Sequence, residues 1–165
     1  TDYMASRIHI WQDPWSDPLG KGFQTIQSLY AIGSGGLLGL GLGNSRQKFL
    51  YIPEPENDFI FSIACEELGF VGAVLILCLF ALLILRGYWL AIHARDRFGA
   101  LLIVGITTQV AVQTFLNIGV VTNLFPVTGI SMPFFSYGGT ALMIQLLEMG
   151  VILSVSRQIP APKAG

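Results

Sequence analysis

The sequence predicts an all-α, polytopic membrane protein, and three observations carry that expectation. Of 165 residues, 53% are hydrophobic and only 12% are charged, whereas a soluble domain carries about a quarter charged residues. Leu68 to Leu85 and Phe98 to Phe125 are uncharged runs of 18 and 28 residues, long enough to cross a bilayer. A third apolar run, Thr140 to Ser156, carries a single charge at Glu148. The formal net charge of −1 gives no reason to expect nucleic acid. Cys65 and Cys78 fall in one apolar run, about 20 Å apart along a helix, too far for a disulfide. His9 and His93 are far apart, and no cluster of metal ligands is legible. With no initiator methionine or leader, the chain reads as the C-terminal part of a larger membrane protein.

Residues 1–22 are polar and read as turn-rich, with Asp13-Pro14-Trp15-Ser16-Asp17-Pro18-Leu19-Gly20 as consecutive turns. Trp11 and Trp15 suit either a headgroup-level aromatic belt or plain loop packing. From Phe23 to Ile32, apolar residues at 23, 26, 29 and 30 alternate with Gln24, Gln27 and Ser28 in helical period. That stretch is too short to span, so an interfacial or re-entrant helix is expected. Residues 33–45 contain six glycines. Nucleotide-binding spacings are not met there. The glycines serve either as a hinge or as a nest of N–H groups for a lipid-linked phosphate, with Arg46 and Lys48 close behind.

Pro53-Glu54-Pro55-Glu56-Asn57-Asp58 then joins a stiff acidic loop to the first span, expected at about 59–85. The prolines resist helix, which makes Asp58 a natural N-cap for the N–H of Ile60 or Phe61. The same carboxylate, beside Glu54 and Glu56, can also serve as a base for a substrate hydroxyl. Glu66 and Glu67 fall about two turns inside this helix, where acids are costly unless paired or facing a wet cavity. Ser62, Cys65, Gly69 and Gly72 form a small-residue stripe suited to close helix packing.

The second span is expected at about 98–123. Its Gln109, Gln113 and Asn117 recur every four residues, as interhelical hydrogen-bond partners or as the lining of a cavity. Residues 126–139 hold two prolines and three glycines yet are apolar, which suits a re-entrant loop buried in protein at membrane depth. The last span, about 140–156, places Ala141, Gln145 and Glu148 on one face. The basic connection 86–97 and the basic C-terminal tail share a side, which the positive-inside rule makes cytoplasmic. Residues 1–58 and 122–138 are then extracytoplasmic.

Taken together, these stretches resemble the SEDS proteins (shape, elongation, division and sporulation), closest to the FtsW/SpoVE branch. The motifs that carry the resemblance are Asp13-Pro14-Trp15 with Asp17-Pro18, Gln24 with Gln27 to Gly33, and Gly41-Leu42-Gly43 with Ser45 to Lys48. They continue with Pro53-Glu54, Asp58 to Phe61, Glu66 to Gly69, and Pro133 with Ser136-Tyr137-Gly138-Gly139. The resemblance covers nearly the whole chain, with many separate motifs in order. It implies the last three helices of a ten-helix fold and the large extracytoplasmic loop before them.

It also implies a peptidoglycan glycosyltransferase of the bacterial cytoplasmic membrane that polymerises lipid II for division or sporulation. The partners implied are a class B penicillin-binding transpeptidase, other division or sporulation membrane proteins, and an undecaprenyl-pyrophosphate-linked glycan. By position, Asp58 matches the family's essential loop aspartate, the general base. Arg46, Lys48, Glu54, Gln24, Gln27, Ser136, Gly138 and Gly139 are the expected substrate-binding residues. Glu66, Glu67, Gln109, Gln113, Asn117 and Glu148 are the expected intramembrane polar set. The resemblance names no certain cofactor, and a divalent cation is an option for the leaving pyrophosphate. Some division-type members carry a lysine where this chain has Thr128, so a cationic role does not transfer there. A lipid II flippase lined by the 109/113/117 stripe and Glu148, and a non-catalytic scaffold, are the alternatives.

Overall fold

The computed structural model describes residues 2–20, 22–41, 43, 59–135 and 139–159, with side chains from Arg7 onward. Every regular element among them is helical: α1 (Asp2–Gln12), a 3-10 turn (Pro14–Ser16), α2 (Phe23–Ser34), α3 (Ile60–Ile92), α4 (Arg97–Val121) and α5 (Gly139–Ser156). The expected all-α, polytopic class holds, because α3, α4 and α5 are each long and apolar enough to cross a membrane.

Helix α3 has 33 residues, about 50 Å at 1.5 Å per residue, against a hydrocarbon core of about 30 Å. The excess is resolved by a break. Gly69 has φ +69° and ψ −169° inside the helix, which divides it into a stub, 60–68, and a span, 70–92. The span alone, about 35 Å long, is enough to cross. It runs on past Leu85 through Arg86, whose guanidinium lies 4.2 Å from the Trp89 ring centroid, and Trp89 stacks on His93. The Asp96 carboxylate then caps α4 by accepting from Gly99 N at 2.7 Å.

Helices α3 and α4 pack antiparallel, with Gly87 against Thr107 so closely that a Cβ on the glycine would meet the threonine side chain. Such small-residue contacts let helices approach where no hydrophobic drive operates between them. The main core cluster joins Phe61, Cys65, Ile76, Phe80, Val110 and Met132, and a smaller one at the far end joins Leu90, Ala91, Ile103 and Ile152. The other end of the bundle collects α1, α2, the α3 stub, the 122–135 loop and the start of α5. We refer to it as the loop end.

Residues 2–12, expected to be turn-rich, are helical. Their far side chains are held by the loop after α4. Arg7 Nη1 donates to Val127 O at 2.7 Å, and Trp11 Nε1 donates to Asn123 O at 3.1 Å while Asn123 Nδ2 donates back to Trp11 O at 3.3 Å. Trp11 is therefore a docking residue. Trp15 is 56% exposed and meets the Tyr30 ring edge-on.

Candidate functional site at the loop end

Two pieces of irregular backbone enter the helices at the loop end, and they organise the residues singled out by the sequence. The first is the glycine-rich segment after α2. Helix α2 is sunk in the fold, with Ser28 Oγ donating to Val121 O at 2.8 Å and Thr25, Ile26 and Ala31 buried. Gln24 and Gln27 are half-buried on the same helix. The chain leaving α2 then fits into the break in α3. Leu40 N and Gly41 N each donate at 3.0 Å, to Glu66 O and Glu67 O, and Phe70 N and Val71 N donate to Gly36 O and Leu37 O at 2.9 and 3.2 Å.

Four backbone groups freed by interrupting the helix are thus satisfied by one loop, as buried backbone requires. Glycine is obligatory at the crossing. A Cβ on Gly39 would strike Glu67 O, one on Gly69 would strike Gly39 N, and one on Gly35 would strike Cys65 O. Gly39 and Gly69 also have φ of +78° and +69°, a region that costs any other residue free energy. This settles one alternative. The N–H groups of Gly39, Leu40 and Gly41 are spent on carbonyl oxygens, so these three do not form a nest for phosphate.

The break also relocates the glutamates. Glu66 and Glu67 end the stub, at the loop end of the span instead of within it. Glu66 is 1% exposed, and its Oε1 accepts from Ser34 Oγ at 3.4 Å. Glu67 Oε1 is buried with no hydrogen-bond partner among the described residues. Gly69, grouped from the sequence with a packing stripe, is in fact the interruption.

The second piece is the apolar loop 122–135. It descends beside α3 as far as Phe80, whose ring stacks with Phe134 at 6.3 Å and lies equally close to Phe135. Two polar side chains clamp it. Asn117 Nδ2 donates to Ile130 O at 2.9 Å, and Gln145 Oε1 accepts from Phe134 N at 2.7 Å. Phe134 has φ +64°, a conformation that a bulky residue keeps only when its surroundings hold it. Of the polar stripe, Gln109 bridges helices, donating from Nε2 to Glu148 Oε1 at 3.2 Å. Gln113 Oε1 and Glu148 Oε2 are buried without partners among the described residues. The sequence puts Gln145 on the same face as Glu148, and the structure adds its bond to the loop. The Gly69 break and the Asn123 and Arg7 contacts carry no local signal in the sequence, since each depends on a segment distant in the chain.

Gly139 opens α5 and is exposed. Asp58, Arg46, Lys48, Glu54, Ser136 and Gly138 lie outside the described residues. The N-cap place of α3 belongs to Phe59, one residue after Asp58, and Phe59 O accepts from Ser62 N and Ser62 Oγ. Among the described residues no group of three or more His, Cys, Asp or Glu side chains could hold a metal ion.

Fold and site together define a multi-pass membrane protein whose loops are pinned to a broken helix and to irregular backbone at one end of a helical bundle. The family model described as "Cell cycle protein", which groups FtsW, RodA and SpoVE, matches residues 1–160, and the chain belongs to this family. It is 57% identical to stage V sporulation protein E of Bacillus subtilis, over 94% of this chain and 42% of that protein. It is 46% identical to a probable peptidoglycan glycosyltransferase FtsW of Geobacter metallireducens, over 96% of this chain and 42% of that one. Among solved structures, a chain of a peptidoglycan synthase complex described as coordinating polymerization and crosslinking superposes with a TM-score of 0.76 at 35% identity, covering 98% of this chain and 44% of its own. The rod shape determining protein RodA of Thermus thermophilus gives 0.60 at 36% identity, covering 82% and 40%. The chain thus spans a little over two fifths of the length of the curated relatives it matches.

Proposed function

We propose that this chain is the catalytic-loop portion of a peptidoglycan glycosyltransferase that polymerises lipid II at the outer face of the bacterial cytoplasmic membrane. The observation that carries the reading is the family match from residue 1 to residue 160, with relatives named as peptidoglycan glycosyltransferases. In this reading the loop end is extracytoplasmic. Arg95, Arg97 and Arg157 lie at the other end of the helices, as the positive-inside rule asks of a cytoplasmic side. Cysteines introduced at Ser16 and Ala94 in a thiol-free background are expected to label from opposite sides of intact cells. Labelling from one side would overturn the orientation.

The Asp58 carboxylate accepts the proton of the 4-hydroxyl on the acceptor lipid II sugar. The hydroxyl oxygen bonds to the anomeric carbon of the growing lipid-linked strand as the bond from that carbon to the pyrophosphate oxygen breaks. Undecaprenyl pyrophosphate leaves with the bond's electron pair. Because the N–H groups of Gly39, Leu40 and Gly41 are occupied, its charge falls to the Arg46 and Lys48 side chains. Glu54, Gln24, Gln27, Ser136, Gly138 and Gly139 are assigned to hold the sugars and the lipid-linked phosphates. A divalent cation, if used, would be held with the pyrophosphate by Glu54 and Glu56 and would neutralise the leaving group's charge. The glycan strand passes to a class B penicillin-binding transpeptidase, a pairing that the likeness to a chain of a peptidoglycan synthase complex supports.

The alternatives differ in product. Labelled lipid II supplied to the purified full chain with its transpeptidase partner is expected to yield glycan strands. Transfer of lipid II across the bilayer with no strand formed would favour a flippase instead, and neither activity would favour a scaffold.

A further inference from the structure

The joint between the glycine segment and the broken helix does more than satisfy backbone groups. The stub 60–68 runs into the span 70–92 through Gly69, so its direction is set by its core packing and by what is bonded across the break. Those bonds come from residues 36, 37, 40 and 41. The stub's opposite end is equally fixed. Phe59 and Phe61 are 2% and 4% exposed in the core, and Ser62 closes on Phe59 O at 2.6 Å. Asp58 is the residue before Phe59 in the sequence, and so is joined by a single peptide bond to a buried, fixed residue. Any tilt or shift of the stub is therefore delivered to Asp58 through the covalent chain. The other end of the same intervening segment departs from Gly41, which is hydrogen-bonded to the stub's own Glu67 O.

We propose that Gly39 and Gly69 are positioning residues for glycosyl transfer: their backbone-to-backbone joint sets the stub, and with it the general base, against the membrane span. The proposal rests on Asp58 acting as that base. Neither glycine touches substrate. The joint acts through the placement of residue 58, and a misplacement of about 1 Å can cost about 100-fold in rate. A merely structural role predicts something different, namely less folded protein with full turnover in the molecules that do fold.

The test uses the full chain purified with its transpeptidase partner, turnover being expressed per folded molecule. Gly39→Ala is expected to lower kcat for lipid II polymerisation about 10–100-fold with KM changed less than about 3-fold, the signature of lost alignment rather than lost binding. Spin labels at Leu38 and Leu82, both exposed, should show a shifted or broadened distance distribution in the same variant. Gly33→Ala, where a Cβ meets nothing within 4 Å, should change neither quantity. If Gly39→Ala does not accumulate, Gly36→Ala replaces it. That position has φ +55° but open space for a Cβ, and the same split at smaller amplitude is expected. Wild-type kcat per folded molecule in these joint variants, or a distance change with full kcat, overturns the proposal. Failure of the base reading shows separately, as wild-type turnover in Asp58→Asn with the joint intact.

Discussion

Two loops enter the helices of this molecule, and they are held by different means. The glycine segment 35–41 is held backbone to backbone, its N–H and C=O groups exchanged with those freed at Gly69. The loop 122–135 is held by side chains that reach to its backbone, Asn117 to Ile130 O and Gln145 to Phe134 N, with Arg7 and Trp11 gripping it from α1. Both solutions answer one requirement, that no peptide group be left bare where water is absent. They place different demands on the sequence. Backbone-to-backbone contact forbids a Cβ at the crossing, so it requires glycine. A side-chain clamp requires a donor or acceptor of the right length and leaves the loop free to be apolar.

The contrast can be broken or sharpened by substitution, with the thermal midpoint of the detergent-solubilised protein as readout. Gly69→Ala should cost most, about 3 kcal/mol, because the alanine meets both a positive φ and the backbone of residues 37–39. Gln145→Leu should follow, at about 1–3 kcal/mol, since it leaves the Phe134 N–H without its acceptor in a buried place. Ser28→Ala removes one hydrogen bond to Val121 O and should cost about 0.5–1.5 kcal/mol. Gly33→Ala should stabilise by about 0.5–1 kcal/mol, because residue 33 is helical, exposed and uncrowded. Equal responses at Gly33 and Gly69 would mean that the joint does not distinguish its glycines, and the comparison would fail.

The same contrast explains how much of the molecule was legible. The spans were readable because an uncharged run of membrane length has few other fates. That the apolar stretch 126–135 needs buried partners for its backbone was readable from its prolines and glycine. The partners themselves were not readable. Gln109, Gln113 and Asn117 share a spacing but not a role. One bonds Glu148, and Asn117 turns to a loop carbonyl thirteen residues on. Gly69 has the same local context as a packing glycine, and only the return of residues 36–41 to the break makes it an interruption. The helical α1 was hidden because its anchors, Asn123 and Val127, lie over a hundred residues away. Of the candidate site, Asp58 and the basic pair after the glycines are proposed from chemistry and resemblance, while the joint at Gly39 and Gly69 needed the fold.

The most direct test of the account is the polymerisation rate of Asp58→Asn in the full chain with its transpeptidase. Asparagine keeps the size and hydrogen-bonding reach of aspartate, so the protein should accumulate in the membrane and bind its partner as before. An amide cannot take the hydroxyl proton, and general base catalysis contributes about 10²–10⁴-fold, so glycan-strand formation should fall by at least about 100-fold. Strand formation by folded Asp58→Asn protein at the wild-type rate would contradict the assignment of this carboxylate as the base.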